Sequence, residues 1–322
     1  VSLPFSIAPA AARPFDVVTL GLNSVDLVAV VAEYPANNSK QRLQRFARLP
    51  GGQMATAAAV CARLGWRSRY IGTFGDDDFG AFGRQSLTAD GVDVSASWMV
   101  SGATSQFAVV LVDARSGDRT VLWDRHPGLA IDPAAVPREA IESGRVLIVD
   151  CQETAAATEA ARYARGAGIP TIVDVERVRP GIVELLRQID AIIAAQAFPS
   201  ELTGYEEPGR ALQAMAREFN APVVSMTLGP EGSLTRCGGR EFRTPAFPVD
   251  CVDTTGAGDA FRGGFAAGCL MAPDGHVEDA IAYANAVAAL NCRALGARGG
   301  MPTRDEVERL LMAHPQPSML DS

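Results

Sequence analysis

From residue 145 to residue 227 short apolar runs alternate with helical segments, without an internal sequence repeat. The runs fall at 145–149, 170–173, 191–194 and 222–227, and the helical segments at 154–165, near 181–187 and at 209–218. Parallel neighbours cannot be joined by a tight turn. They need a long crossover, and a helix is the usual one. The alternation therefore predicts an α/β core with a parallel, doubly wound sheet. Earlier segments extend the same pattern: FDVVTL at 15–20 reads as a buried strand and MATAAAVCARL at 54–64 as a buried helix stopped by Gly65. A strand at 69–73 precedes a helix at 78–89, with N-cap candidates from Asp76 to Asp78. The last third is helical, at 257–271, 277–292 and 304–312.

Two strand-rich stretches, 25–50 and 98–125, do not fit this alternation. The first holds a β-branched run at 27–31 and the alternating RLQRFAR at 42–48. The second reads as strands at 106–113 and 118–124, joined by a turn at Ala114-Arg115-Ser116-Gly117. Paired together, they would form a small β-sheet lid over the mouth of one domain spanning 15–315. Residues 1–14 are apolar but broken by Pro4, Pro9 and Pro14, with no basic stretch ahead of an apolar block. They read as a loose extension and not as a signal peptide.

Composition removes several classes of function. With a net charge of −8, neither nucleic acid nor an anionic membrane is expected as the main partner. No apolar run reaches the ~18 residues of a membrane span. The six cysteines are dispersed without a CxxC pair, as core thiols in a reducing cytoplasm would be. His126, His276 and His314 lie far apart, which argues against a histidine metal site or a Ser-His-Asp triad. Lys40 is the only lysine, and it has neither the P-loop context nor that of a protein-kinase strand. If the chain handles a nucleoside triphosphate, its phosphates are held by another device.

The segment Asp253-Thr-Thr-Gly-Ala-Gly-Asp259 offers one. Gly256 and Gly258 let the backbone turn sharply against a ligand, and the N–H groups that follow open a helix whose positive end binds anions without a lysine. In the first turn, Asp259 can orient a hydroxyl and take its proton, or simply complement the helix dipole. A dinucleotide fingerprint fails here, because its third glycine position falls on Phe261. Gly263, Gly264 and Gly268 read as close helix packing. Gly51-Gly52-Gln53 opens the alanine-rich helix, with Gln53 and Thr56 able to meet a polyol; a plain helix start is the competing reading. Asp26, set in VDLVAVV, either faces solvent or is kept for a ligand hydroxyl. The loop from Thr227 to Gly232, with Gly229 within it, follows a buried strand where open α/β sheets bind nucleotides, or is a simple turn.

Taken together, these segments resemble the ribokinase-like (pfkB) carbohydrate kinase family from about Phe15 to Arg309. The resemblance rests on GGQMATAAAVCARLGWRSRYIGTFGDDDFG at 51–80 and DTTGAGDAFRGGF at 253–265. It implies a three-layer α/β/α core with a doubly wound, mostly parallel sheet and a small β-sheet lid, and transfer of the ATP γ-phosphoryl to a hydroxyl of a small sugar. It implies Asp259 as general base and Gly256, Ala257 and Gly258 as anion hole. Asp26, Gly51, Gly52, Gln53 and Thr56 would meet the substrate. Thr227, Gly229, Gly232 and Asn285 would lie near the nucleotide. ATP and Mg2+ are the implied cofactors, with K+ at Asp253 and Thr255 as in some members. Two departures stand out. Gln53 and Thr56 replace a lysine and an asparagine common in the family, and Ala195-Gln196-Ala197-Phe198 stands where an Asn-x-x-Glu motif tied to magnesium belongs. The first signature and GDRTVLWDRHPGL at 117–129 lean toward ketose-type kinases, and Arg119, Arg125 and Asp124 either meet an acidic or phosphorylated sugar or form a solvated hairpin. A nucleoside kinase, or a binding protein that kept the fold without catalysis, are the alternatives. Exposed lid edges suggest a cytoplasmic homodimer.

Overall fold

The computed structural model describes residues 1–115 and 119–314. Its elements begin with β1 (Phe15–Leu20), β2 (Ser24–Val31), β3 (Arg45–Gly51), α1 (Gln53–Arg63), β4 (Ser68–Ile71), β5 (Thr73–Gly75), α2 (Asp78–Ala89) and β6 (Trp98–Val100). They continue with β7 (Phe107–Asp113), β8 (Arg119–Asp124), α3 (Arg138–Glu142), β9 (Gly144–Asp150), α4 (Thr154–Gly166), β10 (Thr171–Val175), α5 (Ile182–Leu186) and β11 (Ala191–Ala195). The last are α6 (Phe198–Thr203), α7 (Pro208–Phe219), β12 (Val223–Thr227), β13 (Ser233–Cys237), β14 (Arg240–Thr244), α8 (Ala257–Met271), α9 (Val277–Asn291) and α10 (Arg304–Ala313).

Eight strands form the central sheet in the order β14-β13-β12-β11-β10-β9-β1-β4. From β12 to β4 every pair is parallel, while β13 and β14 are an antiparallel edge that the sequence reading did not foresee. The parallel strands are buried on both faces, which is why they read as unbroken apolar runs. Alternate side chains enter opposite layers: Val18 and Leu20 join α4, α5 and α7, whereas Val17 joins α1, α8 and α9. The expected three-layer α/β/α architecture is what the chain adopts.

Small residues set the spacing of the second layer. A Cβ at Gly264 would sit 3.0 Å from the Ala284 Cα, and one at Gly268 would sit 2.9 Å from the Ala280 Cα. On the other side of α8, a Cβ at Gly263 would come within 2.9 Å of the Ala57 carbonyl oxygen of α1. These glycines are packing residues, as their recurrence within a helix suggested.

A second sheet has the order β3-β2-β7-β8, with β2 antiparallel to β3 and parallel to β7. The two stretches outside the alternation do pair, but the second contributes only from Phe107 onward. Trp98–Val100 pairs instead with Thr73–Gly75, because Asp77 draws the intervening chain back by accepting from the Ser105 N–H and hydroxyl. In the expected β7–β8 turn, Ser116 and Gly117 lie outside the described residues, as do Asp118 and residue 315 at the end of the expected domain.

The expectation of a loose segment at 1–14 is corrected. Val1, Leu3, Phe5 and Ile7 pack against the α1–α8–α9 layer, and the Leu3 N–H donates to the Gly275 carbonyl. Arg145 and Arg67 hold the Ala8 and Ala10 carbonyls. Alternating apolar residues mark an extended strip with one buried face, and prolines do not prevent that conformation. All six cysteines are free, and only Cys251 is exposed. No helix among the described residues is long and apolar enough to cross a membrane.

Candidate active site

Parallel strands bring their C-terminal ends to one edge, where loops from several of them converge. In this chain the chain beyond β1, the loops after β9 and β10 and the start of α8 meet beneath the four-stranded sheet. They enclose a cavity of about 440 Å³, within the range of small-molecule sites. Asp26, Gly52, Gln53, Gly256, Gly258 and Asp259 all line it, so three distant sequence segments share one site.

The α8 start has the geometry of an anion hole. Gly256 adopts φ +75°, and a Cβ there would lie 2.4 Å from the Ala297 carbonyl oxygen, so glycine is required. The Ala257 N–H donates to the Thr254 carbonyl, and the Ala260 N–H to that of Gly256. The N–H groups of Gly256, Gly258 and Asp259 find no acceptor among the described residues. These open donors point along a 15-residue helix whose dipole adds partial positive charge. A Cβ at Gly258 would meet the Arg262 guanidinium at 2.4 Å, so a full positive charge also lies directly beneath the hole.

Sequence reading missed Arg262. It is buried in α8, with Nη2 2.7 Å from the Asp174 carboxylate at the end of β10. Asp174 lies beside Asp150 in the β9–β10 register, and Asp150 accepts from the Leu22 and Gln152 N–H groups. An apolar run closed by an aspartate, as in VLIVD and TIVD, was the available signal for Asp150 and Asp174.

This crowding acts on Asp259. Burial disfavours its charged form, Glu176 adds repulsion, and Arg262 opposes both; Asp26 and Asp150 raise it further. Together they lift the Asp259 carboxyl to about 7. Its side chain has no hydrogen-bond donor among the described residues, which leaves it open to a ligand. Burial likewise raises Asp26 above the usual carboxylate range, against a hydrogen bond from Ser24 and the charge of Arg298. Asp26 is packed tightly from below, since a Cβ at Gly51 would fall 2.3 Å from its Oδ2.

The remaining candidates divide. Gln53 lines the cavity and its amide donates to Asp174 at 3.2 Å. Thr56 is a correction: it is buried inside α1, lies outside the cavity lining, and its hydroxyl has no partner. Gly51 stands behind Asp26, also outside the lining, and its carbonyl accepts from Arg298. Thr227, Gly229, Gly232 and Asn285 form a separate cluster. Thr227 pairs with Ser233 across β12–β13, and Asn285 donates to Ser233 and to the Thr244 carbonyl. The Asp253 carboxylate is already occupied by the Thr255 N–H and hydroxyl and by the Gly296 N–H, so the pair anchors the anion-hole loop. The Asn-x-x-Glu departure is structural as well, because Phe198 is buried in the core. No group of three histidine, cysteine or carboxylate side chains that could hold a metal occurs among the described residues.

Comparison with known proteins gives the family. The chain is 31% identical to the ribokinase of Bacillus subtilis (strain 168) over 305 residues, covering 92% of this chain and 99% of that protein. A crystal structure of a putative ribokinase from Agrobacterium tumefaciens superposes with a TM-score of 0.86 at 26% identity, covering 93% and 98% of the two chains. The structure of Arabidopsis thaliana ribokinase complexed with ribose and ATP gives a TM-score of 0.78 at 25% identity, covering 92% and 98%. With the pfkB family carbohydrate kinase model matching residues 15–304, the chain belongs to the pfkB family of carbohydrate kinases.

Proposed function

We propose that this carbohydrate kinase transfers the γ-phosphoryl group of ATP to a hydroxyl of a small sugar, with Asp259 as the base. The observation that carries this is the Asp259 carboxyl, held near neutrality at the mouth of a helix start with three open N–H donors. A carboxylate of ordinary acidity would be a weak base, and burial beside Glu176 and Asp26 makes this one stronger. The acceptor hydroxyl gives its proton to Asp259 as its oxygen bonds to phosphorus. The bond from phosphorus to the ADP oxygen breaks as that bond forms. Charge gathers on the transferring oxygens, where the N–H groups of Gly256, Gly258 and Asp259 and the Arg262 guanidinium stabilise it. Asp26 fixes the sugar through its hydroxyls, and Gly52 lets the sugar approach bare backbone.

In this reading the Thr227–Gly232 turn and Asn285 receive the nucleotide, beside the anion hole and away from the sugar. That the Arabidopsis relative holds ribose and ATP together supports two adjoining sites. Magnesium arrives with the nucleotide: the donor set here is no cage for a resident ion, and Mg2+ bound to triphosphates keeps few protein ligands. The four-stranded sheet acts as the lid over the sugar. Its β8 edge exposes Val121, Leu122 and Trp123, and we propose that two copies pair there. A monomer in sedimentation at micromolar concentration would exclude that pairing.

The kinase chemistry is tested by Asp259→Asn with a sugar panel and labelled ATP. Turnover is expected to fall about 10²- to 10⁴-fold with nucleotide affinity retained. Wild-type turnover in the variant would remove Asp259 from the chemistry.

A further inference from the structure

The arginines around the cavity differ in what they already hold. Arg262 is paired with Asp174, and Arg125 with Glu153. Arg298 reaches Asp90 and the Gly51 carbonyl. Arg119 donates to the Thr254 hydroxyl at 2.7 Å. Two are left. Arg177 and Arg179 both line the cavity, yet neither has a carboxylate within 4.0 Å nor donates a side-chain hydrogen bond among the described residues. The Arg179 Nε is buried with no acceptor among the described residues, as are those of Arg262 and Arg298, while Arg177 is exposed to the cavity.

A buried guanidinium N–H without a partner is costly, and its fork geometry matches a planar or tetrahedral oxyanion. The loop that carries the pair is not loose. The Thr154 hydroxyl donates to the Pro180 carbonyl at 2.7 Å, the Ile182 N–H to the Arg179 carbonyl at 3.1 Å, and Gly181 turns the chain at φ +79°. The loop leaves β10, next to β9 and one strand further from β1, whereas the Thr227–Gly232 turn leaves β12 on the opposite side. That places the two open arginines on the sugar side of the anion hole.

We propose that the acceptor is an anionic sugar whose carboxylate, phosphate or sulfonate is clamped by Arg177 and Arg179 while its reacting hydroxyl faces Asp259. This rests on the kinase reading above and narrows it to a substrate class.

The test uses the full chain with MgATP and matched acceptors. These are a neutral ketose, the same ketose carrying a terminal phosphate or sulfonate, a 2-keto aldonate, and ribose beside ribose 5-phosphate. One anionic member should exceed its neutral counterpart in kcat/KM by about 100-fold, and which member does so identifies the anion. With that acceptor, Arg177→Gln and Arg179→Gln should each lose about 10- to 100-fold. The loss should fall in the acceptor KM, with kcat and the KM for ATP unchanged. Arg179→Lys should recover part of it, as a charge without the fork. Thermal midpoints like the wild type would exclude a folding defect. Equal or better turnover of neutral sugars overturns the clamp and leaves the kinase standing. Variants that raise only the KM for ATP also overturn it, by assigning the arginines to nucleotide phosphates. No turnover of any sugar, neutral or anionic, by a chain that binds ATP sinks the kinase reading itself.

Discussion

The two sides of the anion hole are built from different materials. On the side of β1, β9 and β10 the cavity is made by charged side chains: Asp26, Glu176, Arg177, Arg179 and Asp259 face it, with Asp150, Asp174 and Arg262 packed behind. On the side of β12 and β13 the candidate nucleotide site is made of backbone turns and small neutral groups such as Thr227, Ser233 and Asn285. Side chains can discriminate among sugars, because each charge facing the cavity favours a matching partner. The Thr227–Gly232 turn carries few free donors, since the Leu228, Glu231 and Gly232 N–H groups donate within the turn, so in the proposed reading it meets the nucleotide by shape without selecting the sugar. In the proposed reading, sugar specificity is concentrated in one half and the seating of the nucleotide in the other, with the phosphate-stabilising α8 start between them.

That division can be broken experimentally. The largest effect is expected at the shared boundary. Gly256→Ala forces a side chain into a left-handed position against the Ala297 carbonyl, and it should lower kcat by about 10²- to 10³-fold with either substrate saturating. A smaller, crossed pair follows. Asp26→Asn should raise the sugar KM about 10- to 100-fold and leave the KM for ATP near wild type. Gly232→Ala, whose Cβ would lie 2.0 Å from the Thr244 carbonyl oxygen at φ +87°, should do the reverse. If both variants move both constants together, the halves are not separate.

The smallest effect is in pH. As a base, Asp259 must be deprotonated, so kcat/KM should rise with pH through about 7. Glu176 is the main charged neighbour raising it, so Glu176→Gln should move this limb to lower pH by less than about one unit. An unmoved limb would place the titration elsewhere. The sign for stability is opposite to that for activity: a carboxyl more basic in the fold than in the unfolded chain contributes stability that is lost as pH rises from 3.8 toward about 7.

Most of the core was legible because its strands are buried on both faces and its helices follow them in order. The α8 limits, Ala257–Met271, were read directly from glycines at the start of a long apolar helix. What escaped has a common cause, which is that long-range assembly creates it. Arg262 lies in an apolar helix, and nothing local says that its guanidinium returns beneath Gly258 to meet Asp174. Arg177 and Arg179 sit in what reads as an ordinary polar loop until β10 is placed beside β9. Thr56 failed for the converse reason: a polar residue at a helix start looks available until α1 is packed against the sheet. The strip at residues 1–7 was missed because prolines were weighed above its alternation.

The glycine seam of α8 has a consequence at a distance. Gly264 and Gly268 lie about two and three turns beyond Gly256, and their missing side chains fix how deeply the helix seats against α9. The proposed catalytic end is thus dimensioned by its far half, as a blade is by the shank that fits the handle. A single methyl group added at Gly268 would touch neither sugar nor nucleotide, yet it would tilt the helix axis and carry the open N–H groups off their mark.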